Sequence, residues 1–224
     1  MTSSEDRIID ALNKKGVLKQ QIYHQTKEVF DQLNEVLEGI AERTDEAMSE
    51  DSPVNVAYTH NGDFESSLQF SGDTLVFMMH TNVFTFNPEY FVHKSEYVQQ
   101  DPSRAYCGMI AVYNFLTDSI RYNRLSDVGY LIGRIFVNKD KHFFVEGRRE
   151  FAFRYNTFSQ KPIDPQILHQ MAETAIIHAI DFDLFVPPMD VSKQITLKEK
   201  LQSVGLSAIR TGKRIGFEFL RDQE

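Results

Sequence analysis

Glu89, His93 and Glu96 are the residues of this chain whose spacing most resembles a metal site. In one helix they would fall within a narrow stripe and present two carboxylates beside an imidazole, a donor set that suits zinc, iron or manganese. Three ligands from one short helix rarely close a site, so help would have to come from His60 or His80, each near an expected strand end. A solvated helix face accounts for the same three residues, and no metal or other cofactor is expected. His169, Glu173, His178 and Asp181 look metal-like when read along the chain. At about 100° per residue His169 and Glu173 share a helix face, whereas His178 and Asp181 point elsewhere, so the four do not make one site.

Nucleophilic chemistry has little to stand on. The one cysteine, Cys107, alternates with Met109 and Ala111 in an apolar stretch, where a thiol is buried and inert. There is no Gly-x-Ser-x-Gly elbow for a serine nucleophile. Thr211-Gly212-Lys213 resembles part of a phosphate loop, but the earlier glycine is Ser207 and the residue after the lysine is Arg214.

Charge gives the remaining candidate. The net charge is −8, yet residues 1–52 hold 6 Lys/Arg against 12 Asp/Glu, while residues 101–160 hold 9 against 6. Within that basic third Arg121, Arg124, Arg134, Arg148, Arg149 and Arg154 are interleaved with Tyr113, Tyr122, Tyr130, Phe136 and Tyr155. Guanidinium forks beside aromatic faces suit nucleotides, single strands or acidic peptides. Tyr130, Arg134 and Phe136 are expected on one face of their strand. Duplex DNA is not expected as a partner, because most of the surface would repel a polyanion.

These residues must be positioned by an α+β fold. Ile22, Thr26, Val29, Leu33, Val36 and Ile40 follow a 4-3-4-3-4 spacing in a helix expected from Leu18 to about Thr44, with Phe30 and Leu37 widening the stripe. Such a seam covers a sheet or meets a second copy, and Ile22, Val29, Leu33, Val36 and Ile40 are the expected interface residues. A shorter helix from Thr2 to Leu12 is expected to end or bend at Gly16. Residues 1–50 thus read as a helical N-terminal extension, joined by the acidic run Glu42–Ser52 to one globular domain over 53–224.

In that domain Val54 to Met79 alternates apolar and polar residues around Asn61-Gly62 and Ser71-Gly72, the punctuation of an antiparallel meander. Asn87-Pro88 starts an expected helix over Glu89–Val98. Strands are expected over Ala105–Leu116, Val128–Val137, His142–Glu146 and Arg148–Tyr155, and 117–127 fits helix or strand. Asp164-Pro165 opens a helix with Leu168, Met171, Ala172, Ala175 and Ala179 on one face. Thr196 and Glu199 cap another over Leu197–Val204, and Ile215, Phe217 and Phe219 mark a last strand. The total is a meander of about six to eight strands with an N-terminal helix and C-terminal helices packed on it.

No apolar run is long enough to cross a membrane, and Met-Thr-Ser-Ser-Glu-Asp-Arg lacks the basic and apolar start of a signal peptide. A cytoplasmic location fits these features and the lone cysteine. With a heptad-like seam and no complete catalytic signature, the chain reads as a non-enzymatic binding and assembly module. It would self-associate and offer its arginine and aromatic surface to an acidic partner. A nucleotide- or phosphate-binding enzyme or sensor built on the same arginines is the alternative.

Overall fold

The computed structural model describes residues 3–49 and 51–182, with the side chains of Arg149 and Glu150 excepted. The fold is α+β. Helix α1 (Ser4–Ala11) runs through one wide π turn (Leu12–Gly16) into α2 (Val17–Ala47) without leaving helical backbone. Six antiparallel strands follow in the order of the chain: β1 (Val56–His60), β2 (Glu65–Phe70), β3 (Asp73–Phe84), β4 (Cys107–Leu116), β5 (Tyr130–Asn138) and β6 (Phe143–Gly147). Short helices α3 (Glu96–Gln100), α4 (Thr117–Arg121) and α5 (Arg149–Ala152) decorate the connections, and α6 (Pro165–Ile180) returns over the sheet. No helix among the described residues is long and apolar enough to cross a membrane.

Local chemistry explains the regular elements. Gly62 takes φ 103° in the β1–β2 turn and Ser71 takes φ 56° in the β2–β3 turn, the left-handed geometry that lets a hairpin reverse tightly. At α6 the Asp164 side chain accepts a hydrogen bond from the Ile167 amide at 2.8 Å, with Pro165 filling a first-turn position that needs no donor. The expected face of α6 is its buried face: Leu168, Met171, Ala172, Ala175 and Ala179 all lie in the core.

Both long helices cover one side of the sheet. Val29, Phe30, Leu33 and Leu37 of α2 share a single core with Leu68, Leu75, Phe77, Ile110, Val112, Ile135 and Val145 and with the apolar face of α6. The approach is close at Gly108, where an added Cβ would sit 2.1 Å from Thr26 Oγ1. The opposite side is covered in part by the β3–β4 connection. Phe86, Tyr90, Phe91, Val92, Tyr97 and Val98 pack there over Cys107, Phe136 and Phe144.

Three sequence expectations change at this level. Gly16 neither ends nor breaks the helix; the chain absorbs it in the π turn. The helix over Glu89–Val98 is instead a 3-10 turn (Phe91–Lys94) and α3, separated at Ser95, whose extended backbone (ψ 131°) interrupts the helical stripe. Residues 148–155 do not form a strand: Arg148 N donates to Ile132 O, the chain turns into α5, and the segment caps the core with Phe151. The 117–127 link, open in sequence to helix or strand, starts as the helix α4. The helix expected at 197–204 and the strand at 215–219 lie outside the described residues.

Candidate functional site

The arginines expected to converge are distributed over different parts of the fold. Arg134 on β5 pairs with Glu146 on β6 at 2.5 Å and lies 5.5 Å from the Phe136 ring, on the side of the sheet away from α2. Burial raises the Glu146 carboxyl above its usual range, so its desolvation outweighs the nearby guanidinium. Arg124 sits between Asp118 and Asp127, at 4.0 and 3.8 Å, with its guanidinium 5.6 Å from Tyr122. Arg148 lines a small cleft with Asn114, Tyr130, Ile132 and His178 at the C-terminal end of α6. Arg121 and Arg154 are exposed, and Arg149 begins α5.

Tyr130 and Arg134 therefore face opposite ways. The cause is a bulge in which Ile132 and Gly133 together oppose Val112, so the alternation slips by one residue between Tyr130 and Arg134. Tyr130 accordingly meets Phe182, 6.2 Å between ring centroids, on the α6 side.

An arginine outside the expected set is the best organised. Arg104 Nε donates to Asp140 Oδ2 at 3.1 Å, Nη1 donates to the Tyr97 carbonyl at 2.9 Å, and the guanidinium lies 4.3 Å from the Tyr97 ring centroid. Tyr97 donates to the same carboxylate at 2.9 Å and accepts from Asn138 Nδ2 at 3.1 Å. Burial first, and the Asp140 contact after it, push the Tyr97 hydroxyl up to about 12. Beside it Lys139 and Ser103 hold Asp101 down at about 2. This network ties the β3–β4 connection to the β5–β6 turn. At its edge the Asp101 side chain caps the Pro102–Ala105 turn by accepting from the Ser103 amide at 3.0 Å.

The metal-like trio does not assemble. His93 Nε2 is 3.2 Å from the Phe86 carbonyl, the helix that would have aligned Glu89 and Glu96 with it is interrupted, and no group of three potential ligands occurs among the described residues. Cys107 is buried in β4, and burial pushes its thiol up. His169 does meet Glu173, Nδ1 to Oε2 at 3.4 Å, and its Nε2 lies 3.1 Å from Arg43 Nη2 across a shallow groove between α2 and α6. That arrangement fixes the imidazole between a donor and an acceptor and staples the helices together.

The seam of α2 is occupied within the chain. Ile22 is fully buried within the chain, Val29 and Leu33 lie in the core shared with the sheet, and Val36 and Ile40 are partly buried against that core. Apolar surface remains unpartnered further upstream. Ile22 is the first buried residue of the helical run; before it Ile8, Ile9, Leu12 and Val17 are 57, 55, 61 and 59 % exposed. Residues 4–21 thus form a helical arm about 27 Å long. The arm touches the body at Lys15, whose ammonium lies 5.8 Å from the Tyr106 ring centroid, and Leu18 is half-buried.

The π turn decides which way this stripe faces. Val17 N–H bonds to the Leu12 carbonyl, a five-residue step that acts as one extra residue in the helix. Counted so, at about 100° per residue, Ile8, Ile9, Leu12 and Val17 lie within about 100° of arc. Ile22, Val29 and Leu33 lie about 180° around the helix from that arc. A regular α-helix would have turned the stripe back toward the sheet side. No family model, curated protein or solved structure matches this chain.

Proposed function

We propose that this protein is a binding and assembly module that associates with itself through its N-terminal helical arm. The observation that supports this reading is the arm's apolar stripe: four large aliphatic side chains, each more than half exposed and directed away from the chain's own core. An isolated helical segment of this length is marginal in water, and pairing its apolar face removes that instability. The arginine surface enters this reading less strongly, since Arg134 and Arg124 are engaged with carboxylates inside the chain. Sedimentation velocity of the full chain over a hundredfold concentration range tests the proposal. A reversible monomer–oligomer equilibrium that Leu12→Glu abolishes is the expected result. A monomer at every concentration, or an oligomer indifferent to Leu12→Glu, overturns it.

A further inference from the structure

Resting on that self-association reading, we infer that the arm's partner is the arm of a second copy, laid antiparallel across a two-fold axis near Leu12. Three observations carry this geometry. First, charge is divided along the arm: Glu5 and Asp6 precede Leu12 and Lys19 follows it, with Arg7 the exception, while Asp10 and Lys14 pair within the chain at 2.9 Å and Lys15 lies over Tyr106. Antiparallel pairing sets the acidic half of each arm along the basic half of the other, and a parallel pair sets like on like. The opposed helix dipoles favour the same orientation.

Second, the stripe matches itself when reversed. An axis near Leu12 puts Ile8 of one copy beside Gly16 and Val17 of the other. Gly16 leaves room there: a Cβ added to it would meet only Leu12 of its own chain, at 3.6 Å. A symmetric contact of this kind closes as a dimer and does not propagate.

Third, the overlap fits the space available. With that axis, Ser4 of one copy lies level with Gln20 of the other, about half a turn short of Ile22, where the chain's own core begins to cover the helix. Two arms of this length bury about 1,000 Å² in total, the low end for a specific interface, so the dimer is a reversible one. A lipid surface fits the arm less well, because the acidic half and the lack of aromatic anchors oppose insertion among headgroups.

Cysteine cross-linking distinguishes the possibilities, since Cys107 is buried and an introduced thiol is the reactive one. The full chain carrying Leu12→Cys is oxidised with copper phenanthroline, alongside Ile8→Cys alone, Val17→Cys alone, and an equimolar mixture of the last two. The expected result is a cross-linked dimer from Leu12→Cys and from the mixture, and at least tenfold less from Ile8→Cys or Val17→Cys alone. Efficient cross-linking of Ile8→Cys alone means a parallel pair and overturns the antiparallel geometry while leaving self-association intact. An oligomer with no cross-link at any of these sites places the contact elsewhere and overturns it as well. Co-sedimentation of the monomer with phosphatidylcholine vesicles, lost in Leu12→Glu, assigns the arm to lipid and overturns both readings. Circular dichroism and thermal melting of each variant report folding; no residue of the arm is buried, so all should match the parent.

Discussion

Gly108 is the residue on which the helix layer seats. Its missing side chain lets Thr26 approach β4, and the Thr26 hydroxyl turns back to donate to the Ile22 carbonyl at 2.8 Å. Gly108→Ala should cost about 2–3 kcal/mol, as overpacking against a rigid neighbour does, and Thr26→Ala in the same chain should recover about half of it. Urea unfolding of the two single variants and the double variant reads that coupling. Asn34, on the same helix, presents the opposite problem: its amide is buried, 7 % exposed, with no hydrogen-bond partner among the described residues. Replacing an unsatisfied buried amide by an apolar side chain of like size removes a desolvation cost, so Asn34→Leu should stabilise the fold by about 1 kcal/mol. A urea midpoint no higher than the parent's would refute this. Asp101 makes a smaller contribution that depends on pH. Lys139 and Ser103 depress its pKa to about 2, below the ordinary carboxylate value. The stabilisation is therefore complete above about pH 4 and disappears as pH falls toward 2. With the side chain 35 % exposed, it amounts to less than about 1 kcal/mol. The stability gap between the parent and Asp101→Asn should accordingly be present at pH 6 and mostly lost by pH 2.

Among the elements, the run from α1 to α2 joins two helices with different duties. Leu33→Ala, in the half buried against the sheet, should lower stability by about 2–5 kcal/mol. Leu12→Ala, in the arm, should change it by less than about 0.5 kcal/mol while weakening assembly. The π turn between them sets the angle. Deleting Asn13 removes the extra residue and rotates the arm by about 100° relative to the sheet, so the oligomer should weaken at least tenfold in sedimentation while the melting temperature stays put. The same turn shows why a sequence reading stops where it does. The α6 helix was legible because Asp164-Pro165 and the spacing of Leu168, Met171 and Ala175 are signals held within a few residues. The β1–β2 and β2–β3 hairpins were legible through Asn61-Gly62 and Ser71-Gly72 for the same reason. The bulge at Ile132 and Gly133 was not, because it is defined by which residues β4 places opposite, and that slip alone separates Tyr130 from Arg134. The arginine network around Tyr97 was equally hidden, since Arg104 and Asp140 meet only after β4 and β5 have paired. The stripe of Ile22, Val29 and Leu33 was read correctly as a stripe, but periodicity alone does not say whether sheet or second chain will cover it.

For the molecule as a whole, the antiparallel arrangement predicts how salt acts, because it fixes how far apart the two bodies sit. Each chain carries a net charge of −8, and two such chains repel. Arms crossed near Leu12 with their apolar stripes facing put the bodies on the outer faces of the pair, two helix diameters or about 20 Å apart, which is about two Debye lengths at 0.1 M salt. Body repulsion is then largely screened, and the charges still felt are those of the paired arms, where Glu5 of one copy lies level with Lys19 of the other. Raising NaCl from 0.1 to 0.5 M should therefore weaken the dimer, by about two- to fivefold in Kd, the scale of a few exposed ion pairs. A parallel pair would behave in the contrary way: its bodies would lie side by side with like charges along the arms, and added salt would strengthen it. Sedimentation equilibrium at the two salt concentrations separates these cases by sign. Exchanging the charges, with Glu5→Lys and Lys19→Glu in one chain, should restore the parent's affinity, whereas either change alone should weaken association. An affinity that rises with salt, or a double variant weaker than both single ones, would rule out arms paired head to tail.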